Sequence, residues 1–81
     1  MESQHKQYDP APTLVQRVNR DFTYQPPNGE QVLRMSSIRQ ECKNLAAKIL
    51  QDTPPSREQS LALTSLEEVS MWCNAAIARN E

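Results

Sequence analysis

Eighty-one residues make at most one domain, and a chain of that size buries only about 60% of its unfolded surface. Hydrophobic residues make up 37% of it, yet it has one Trp, two Tyr and one Phe, so the expected core is aliphatic and thin. The formal net charge of −1 argues against general DNA or RNA binding, which needs a basic excess to neutralise phosphates; a small anionic ligand would need only two or three well-placed cations.

Cys42 and Cys73 stand far apart with no C-x-x-C pair, and the single histidine, His5, falls in a polar stretch. Metal-ligand spacing is absent, and no cofactor is expected. Both cysteines fall on apolar helical positions and read as packed, reduced thiols. No charged-then-apolar leader opens the chain and no apolar run approaches ~18 residues, so a non-exported protein outside the membrane is expected. A thin core without a disulfide framework is commonly completed by self-association.

In chain order, residues 1–9 (MESQHKQYD) are polar and expected to be mobile. PAPTLVQRVNRDF suits a short helix, with Pro12 in the first turn and Leu14, Val15 and Val18 on one face. TYQPPNG is expected to be extended, because residues before proline avoid the α region. Asn28 with Gln31 forms a capping-box pattern, and the spacing predicts a helix from there to about Gln51. Val32, Met35, Ile38, Cys42, Leu45, Ala46 and Ile49 define its apolar face. DTPPS stops it. Ser56 and Gln59 read as a second box, opening a last helix to about Asn80. Ala62, Leu66, Val69, Cys73 and Ile77 form its first apolar stripe, with Leu61 and Trp72 on the shoulder. One partner helix cannot cover so wide an arc. Either one generous core does, or a second face serves subunit contacts, and the small private core favours the second. With one glycine and no alternating β-branched run, strands are not expected. The fold class is all-α: a short N-terminal helix plus two long antiparallel helices, assembling into a helical homo-oligomer.

The residues offer little catalytic chemistry. A nucleophile needs a base oriented by a third group, and the one histidine lies in a tail. Glu67 and Glu68 are adjacent on a helix and point about 100° apart, as a solvated face does. No glycine loop cradles phosphate. Glu30 and Arg34 have the favourable i,i+4 spacing of an exposed salt-bridged face, shared with Glu41 and Lys48. Arg39 differs: it sits at the margin of the apolar face, without an acid three or four residues away, and the next cation is Lys43. It is either a snorkelling side chain that covers apolar surface or a guanidinium poised to grip phosphate or carboxylate. Tyr24 is either a staple packed back on the helix or a stacking plate for a nucleobase, stiffly mounted by Pro26 and Pro27.

FTYQPPNG, SIRQECKNLA and above all PPSREQSLALTSLEEVSMWCNAAIARNE resemble a family of small phage proteins. These are the anti-CBASS cyclic-oligonucleotide sponges, which soak up the second messengers of a bacterial defence system. The resemblance covers about residues 21–81, leaving residues 1–20 as a polar N-terminal extension. It implies an all-helical hexamer in the host bacterial cytoplasm that holds cyclic dinucleotides such as cyclic GMP–AMP without cutting them. It further implies that Tyr24, on its Pro26 mount, stacks on the bases and that Arg39, where some members have lysine, contacts the phosphates. A separate pocket for cyclic trinucleotides near a three-fold junction would use Arg79, in ARNE. Ser36, Ser37 and Glu41 around Arg39 depart from the family pattern, and a glutamate near a dianion would weaken binding or shift the messenger preferred. The competing expectation is a helical phage module that docks on a host or virion protein through Leu61 and Trp72.

Overall fold

In the computed structural model, which describes residues 6–81, the chain is three helices joined by two short connectors. His5 lies outside the described residues. Helix α1 spans Pro12–Asp21, α2 spans Gly29–Asp52 and α3 spans Arg57–Asn80. No strand occurs among the described residues, so the all-α reading and the element order hold.

Each boundary has a local cause. Pro12 opens α1 at a position whose N–H would lack a helical partner anyway. The α1 chain exits at Phe22, whose N–H donates to the Val18 carbonyl at 3.0 Å. At α2 the capping box closes both ways. The Gln31 N–H donates to Asn28 Oδ1 at 2.8 Å, and the Asn28 N–H donates to Gln31 Oε1 at 3.0 Å. The helix ends where Thr53 turns back on Ile49, its N–H at 3.1 Å and its hydroxyl at 2.6 Å from that carbonyl. Pro54 and Pro55 then prevent continuation.

The start of α3 departs from expectation. Ser56 Oγ accepts from the Gln59 N–H at 3.1 Å, as a cap should, but Gln59 does not return the bond. Its amide instead donates to the carbonyl and hydroxyl of Thr53, each at 3.1 Å. The box is traded for a clasp across the turn, which ties the start of α3 to the end of α2.

The two long helices, each about 36 Å at 1.5 Å per residue, run antiparallel and make the only extensive helix–helix contact among the described residues. At the far end from the Gln59–Thr53 clasp, Glu81 meets Gln31 and Arg34. Between these ties the seam holds Met35, Ile38, Cys42, Ala46 and Ile49 of α2 against Leu63, Leu66, Cys73 and Ile77 of α3. Among the described residues Ile77 alone, at 8% exposure, is buried.

Two of the predicted faces are rotated. Val32 and Leu45 of α2, and Ala62 and Val69 of α3, lie exposed. On α3 the half-buried places go to Leu63, Ser70 and Asn74, and Asn74 Oδ1 is buried without a hydrogen-bond partner. The hairpin thus keeps polar side chains in its own seam. Leu61, Val69 and Trp72 are left in solvent, Trp72 at 61% exposure.

The dimensions agree. The radius of gyration is 19.2 Å, against about 12 Å for a compact chain of this length. The accessible surface is 7167 Å², against about 5,000 Å² for a compact monomer of this mass. The described helices include none long and apolar enough to cross a membrane.

Candidate functional site

Of the grooves along the hairpin, two hold Arg39 and Tyr24, and Arg79 also lines a third with Leu14 and Trp72. The first, about 440 Å³, runs along the α2–α3 seam. Its floor is apolar, with Cys42, Ala46, Leu63 and Leu66, and its rim carries Arg39 and Lys43 on α2 facing Glu67 on α3. Arg39 is exposed and has neither an ion-pair nor a hydrogen-bond partner among the described residues. The other α2 arginine is saturated. Arg34 Nε pairs with Glu30 at 2.5 Å and Nη1 donates to Glu81 Oε2 at 2.7 Å, while Nη2 also reaches both carboxylates. Those bonds, Glu81 first and Glu30 second, push the Arg34 guanidinium further into its charged form. Lys48 is held by Asp52 at 2.7 Å. Arg39 is therefore a cation with its charge unspent, and Arg34 and Lys48 are not.

The second groove, about 490 Å³, lies at the opposite end, where the connector crosses the open end of the hairpin. Tyr24, Phe22, Arg20, Met35 and Arg79 are among its walls. Tyr24 is 83% exposed; it does not pack back on α2, so the staple alternative is not what the structure adopts. Pro27 lines this groove, whereas Pro26 does not.

Asp21, the last residue of α1, organises the cations here. Its carboxylate takes Arg20 Nε at 3.0 Å, Arg17 Nε at 3.6 Å and Arg79 Nε at 3.6 Å. The Arg20 hydrogen bond, followed by the charges of Arg79, Arg20 and Arg17, holds the Asp21 carboxyl below its usual value against the opposing effect of burial. Arg79 also lies over the Trp72 ring, 5.9 Å from its centre, within cation–π range. This cluster is what ties α1 to α3.

Sequence reasoning nominated Tyr24 and Arg39 for one site and Arg79 for another. Within one chain the structure brings Tyr24 and Arg79 to the same groove and puts Arg39 on a different one. Met35, the α2 residue that lines the Tyr24 groove, precedes Arg39 by four residues, about 6 Å of rise, and Arg39 lines the other groove. Arg20, Asp21 and Phe22 are not singled out by sequence reasoning. The available signal was that Phe22 and Tyr24, half of the aromatic residues, fall two positions apart. Among the described residues no group of three or more His, Cys, Asp or Glu side chains gathers in a way that would hold a metal ion.

Comparison with protein families decides the relationship. The model described as Acb2/Tad1, hairpin domain, matches residues 15–78. The chain belongs to the Acb2/Tad1 hairpin-domain family. Acb2 is the family of anti-CBASS cyclic-oligonucleotide sponges, so a binding role in phage evasion of bacterial defence follows in general terms. The match begins inside α1 and includes Tyr24, Pro26 and Arg39, and it stops one residue before Arg79. Searches of curated proteins and of solved structures each returned no match.

Proposed function

We propose that this protein sequesters cyclic dinucleotides such as cyclic GMP–AMP, and cyclic trinucleotides at a second site, without cleaving them, in the host bacterial cytoplasm. The observation that carries the reading is the family match across residues 15–78. Tyr24 supplies a stacking surface, Pro26 stiffens its mount, and Arg39 supplies a phosphate-binding guanidinium. Arg79 serves the trinucleotide.

Physical chemistry supports the assignment. A cyclic dinucleotide is a compact dianion with approximate two-fold symmetry. Two chains meeting at an isologous interface would offer two Tyr24 rings and two Arg39 forks to it. Tyr24 of one chain would then join Arg39 of its partner, which answers the separation of the two residues within a single chain. Two guanidiniums balance two phosphates locally, so a net charge of −1 is no obstacle. The accessible surface in excess of a compact monomer, about 2,000 Å², is of the size that obligate subunit interfaces bury. A hexamer is the assembly proposed. Sequestration needs affinity and abundance only; lowering the free messenger keeps the effectors off by mass action.

The test is a calorimetric titration of the full chain with cyclic GMP–AMP and with a panel of cyclic di- and trinucleotides, followed by recovery of the ligand after denaturation. Tight binding with intact recovery, weakened by Tyr24→Ala or Arg39→Ala, is the expected result. Recovery of a linear product would reveal an enzyme. Absence of heat with every ligand would replace the sponge by a helical module that docks on a protein partner, whose sensitive positions would be Leu61 and Trp72.

A further inference from the structure

Arg79 lies in the last turn of α3, where a long side chain has much rotamer freedom to lose before it can grip a ligand. Its own helix offers little nearby to hold it. The residues four and three positions back are Ala75 and Ala76, and the Glu81 carboxylate is taken by Arg34 and Gln31. Arg79 is nonetheless held from two sides. Asp21, at the end of α1, meets its Nε at 3.6 Å. The ring of Trp72, seven residues back on α3, has its centre 5.9 Å from the guanidinium carbon, within cation–π range. With 35% of its side chain exposed, Arg79 is the least exposed of the ion-paired arginines. Asp21 is itself anchored, by Arg20 at 3.0 Å and Arg17 at 3.6 Å, and is only 13% exposed. The pairing engages Nε, and among the described residues neither Nη group of Arg79 donates a hydrogen bond. A guanidinium fixed in this way keeps its outer fork for an anionic ligand.

We infer that Asp21 and Trp72 are positioning residues for Arg79, holding its guanidinium with both Nη groups free for a cyclic trinucleotide. The inference rests on the reading of Arg79 given above and adds two residues to it. It also gives α1 a task, because the carboxylate that orients Arg79 comes from the end of that helix. An exposed ion pair or a cation–π contact is worth roughly 2- to 5-fold in affinity. In the proposed hexamer a cyclic trinucleotide, with approximate three-fold symmetry, would meet three copies of Arg79. Losing one support in every copy then multiplies to about 10- to 100-fold.

The experiment titrates a panel of cyclic trinucleotides, and separately cyclic GMP–AMP, into the full chain and into Asp21→Asn, Asp21→Glu, Trp72→Leu and Arg79→Ala. Helix content and sedimentation are measured alongside. Asp21→Asn and Trp72→Leu are expected to weaken trinucleotide binding about 10- to 100-fold and to leave cyclic GMP–AMP within about twofold, with assembly unchanged. Asp21→Glu is expected to restore most of the trinucleotide affinity. Trp72 is the only tryptophan, so its emission in the ligand-free protein is expected to change in both Arg79→Ala and Asp21→Asn. Trinucleotide binding within twofold of wild type in Asp21→Asn and Trp72→Leu, with Arg79→Ala defective, would overturn the positioning roles and leave the reading of Arg79 intact. Tighter trinucleotide binding by Asp21→Asn would make Asp21 a competitor for Arg79 and overturn its positioning role. An equal loss for both ligands, or a change in assembly, would assign Asp21 to the packing of α1 and overturn it as well. No trinucleotide bound by the wild type, or no effect of Arg79→Ala, would overturn the reading of Arg79 and this inference together.

Discussion

Arg34 and Glu81, forty-seven positions apart in sequence, close the open end of the hairpin, with Arg34 Nη1 donating to Glu81 Oε2 at 2.7 Å. The Arg34 hydrogen bond, helped by the Gln31 amide at 3.2 Å, lowers the Glu81 carboxyl from 4.5 to about 2. A carboxyl whose folded value is depressed stabilises the fold fully above its unfolded value. That contribution is lost as pH falls from about 4.5 through about 2. Asp21, also held below its usual value, acts in the same direction. Thermal melts followed by circular dichroism should therefore show Tm falling across this window, and Glu81→Gln should show a lower Tm at pH 7 and a shallower fall.

The seam is so thin that its one buried residue carries unusual weight. Ile77→Ala should destabilise the hairpin by about 2–5 kcal/mol, the usual cost of truncating a buried aliphatic side chain. Urea unfolding is the measurement. A cost near zero would mean that the hairpin's stability comes from elsewhere than its own seam.

Gly29 offers the opposite change. It opens α2 without a positive φ, and an added Cβ meets nothing within 4 Å. Gly29→Ala should raise stability by about 0.4–1 kcal/mol by restricting the unfolded chain. The same urea titration reads it.

The helices and most of their ends were legible because caps and prolines are local. Asn28 with Gln31, Ser56, and Pro54 with Pro55 each act within a few residues, and the Glu30–Arg34 pair follows from helical spacing alone. The choice between the two faces of α3 was not legible. Leu61, Leu63, Leu66, Val69, Trp72 and Ile77 spread around a wide arc, so period alone cannot say which side meets α2. The structure turns Leu63, Ser70 and Asn74 inward. The partners of Glu81 and Asp21 were out of reach for another reason: contacts made only when the chain folds back leave no local pattern. Of the candidate site, the lack of an acid one turn from Arg39 was readable, whereas the exposure of Tyr24 was one of two open alternatives that the fold decides. The convergence of Arg20, Phe22 and Arg79 with Tyr24 required the fold.

The exposed face of α3 yields a prediction about mass. If Leu61, Val69 and Trp72 cover themselves with other copies of the chain, sedimentation should report a multiple of 9.3 kDa. Trp72→Glu should shift it toward the monomer. The melting temperature of the wild type should also rise with protein concentration, since assembly and folding then share one equilibrium.

The Thr53–Ser56 turn sits a full helix length, about 36 Å, from the connector that carries Phe22 and Tyr24, and its residues line neither groove. Backbone and side-chain bonds from Ser56 and Gln59 already rigidify it. A dye or affinity handle attached there would leave both sides of the molecule open. The turn is thus the natural place from which to watch the protein work.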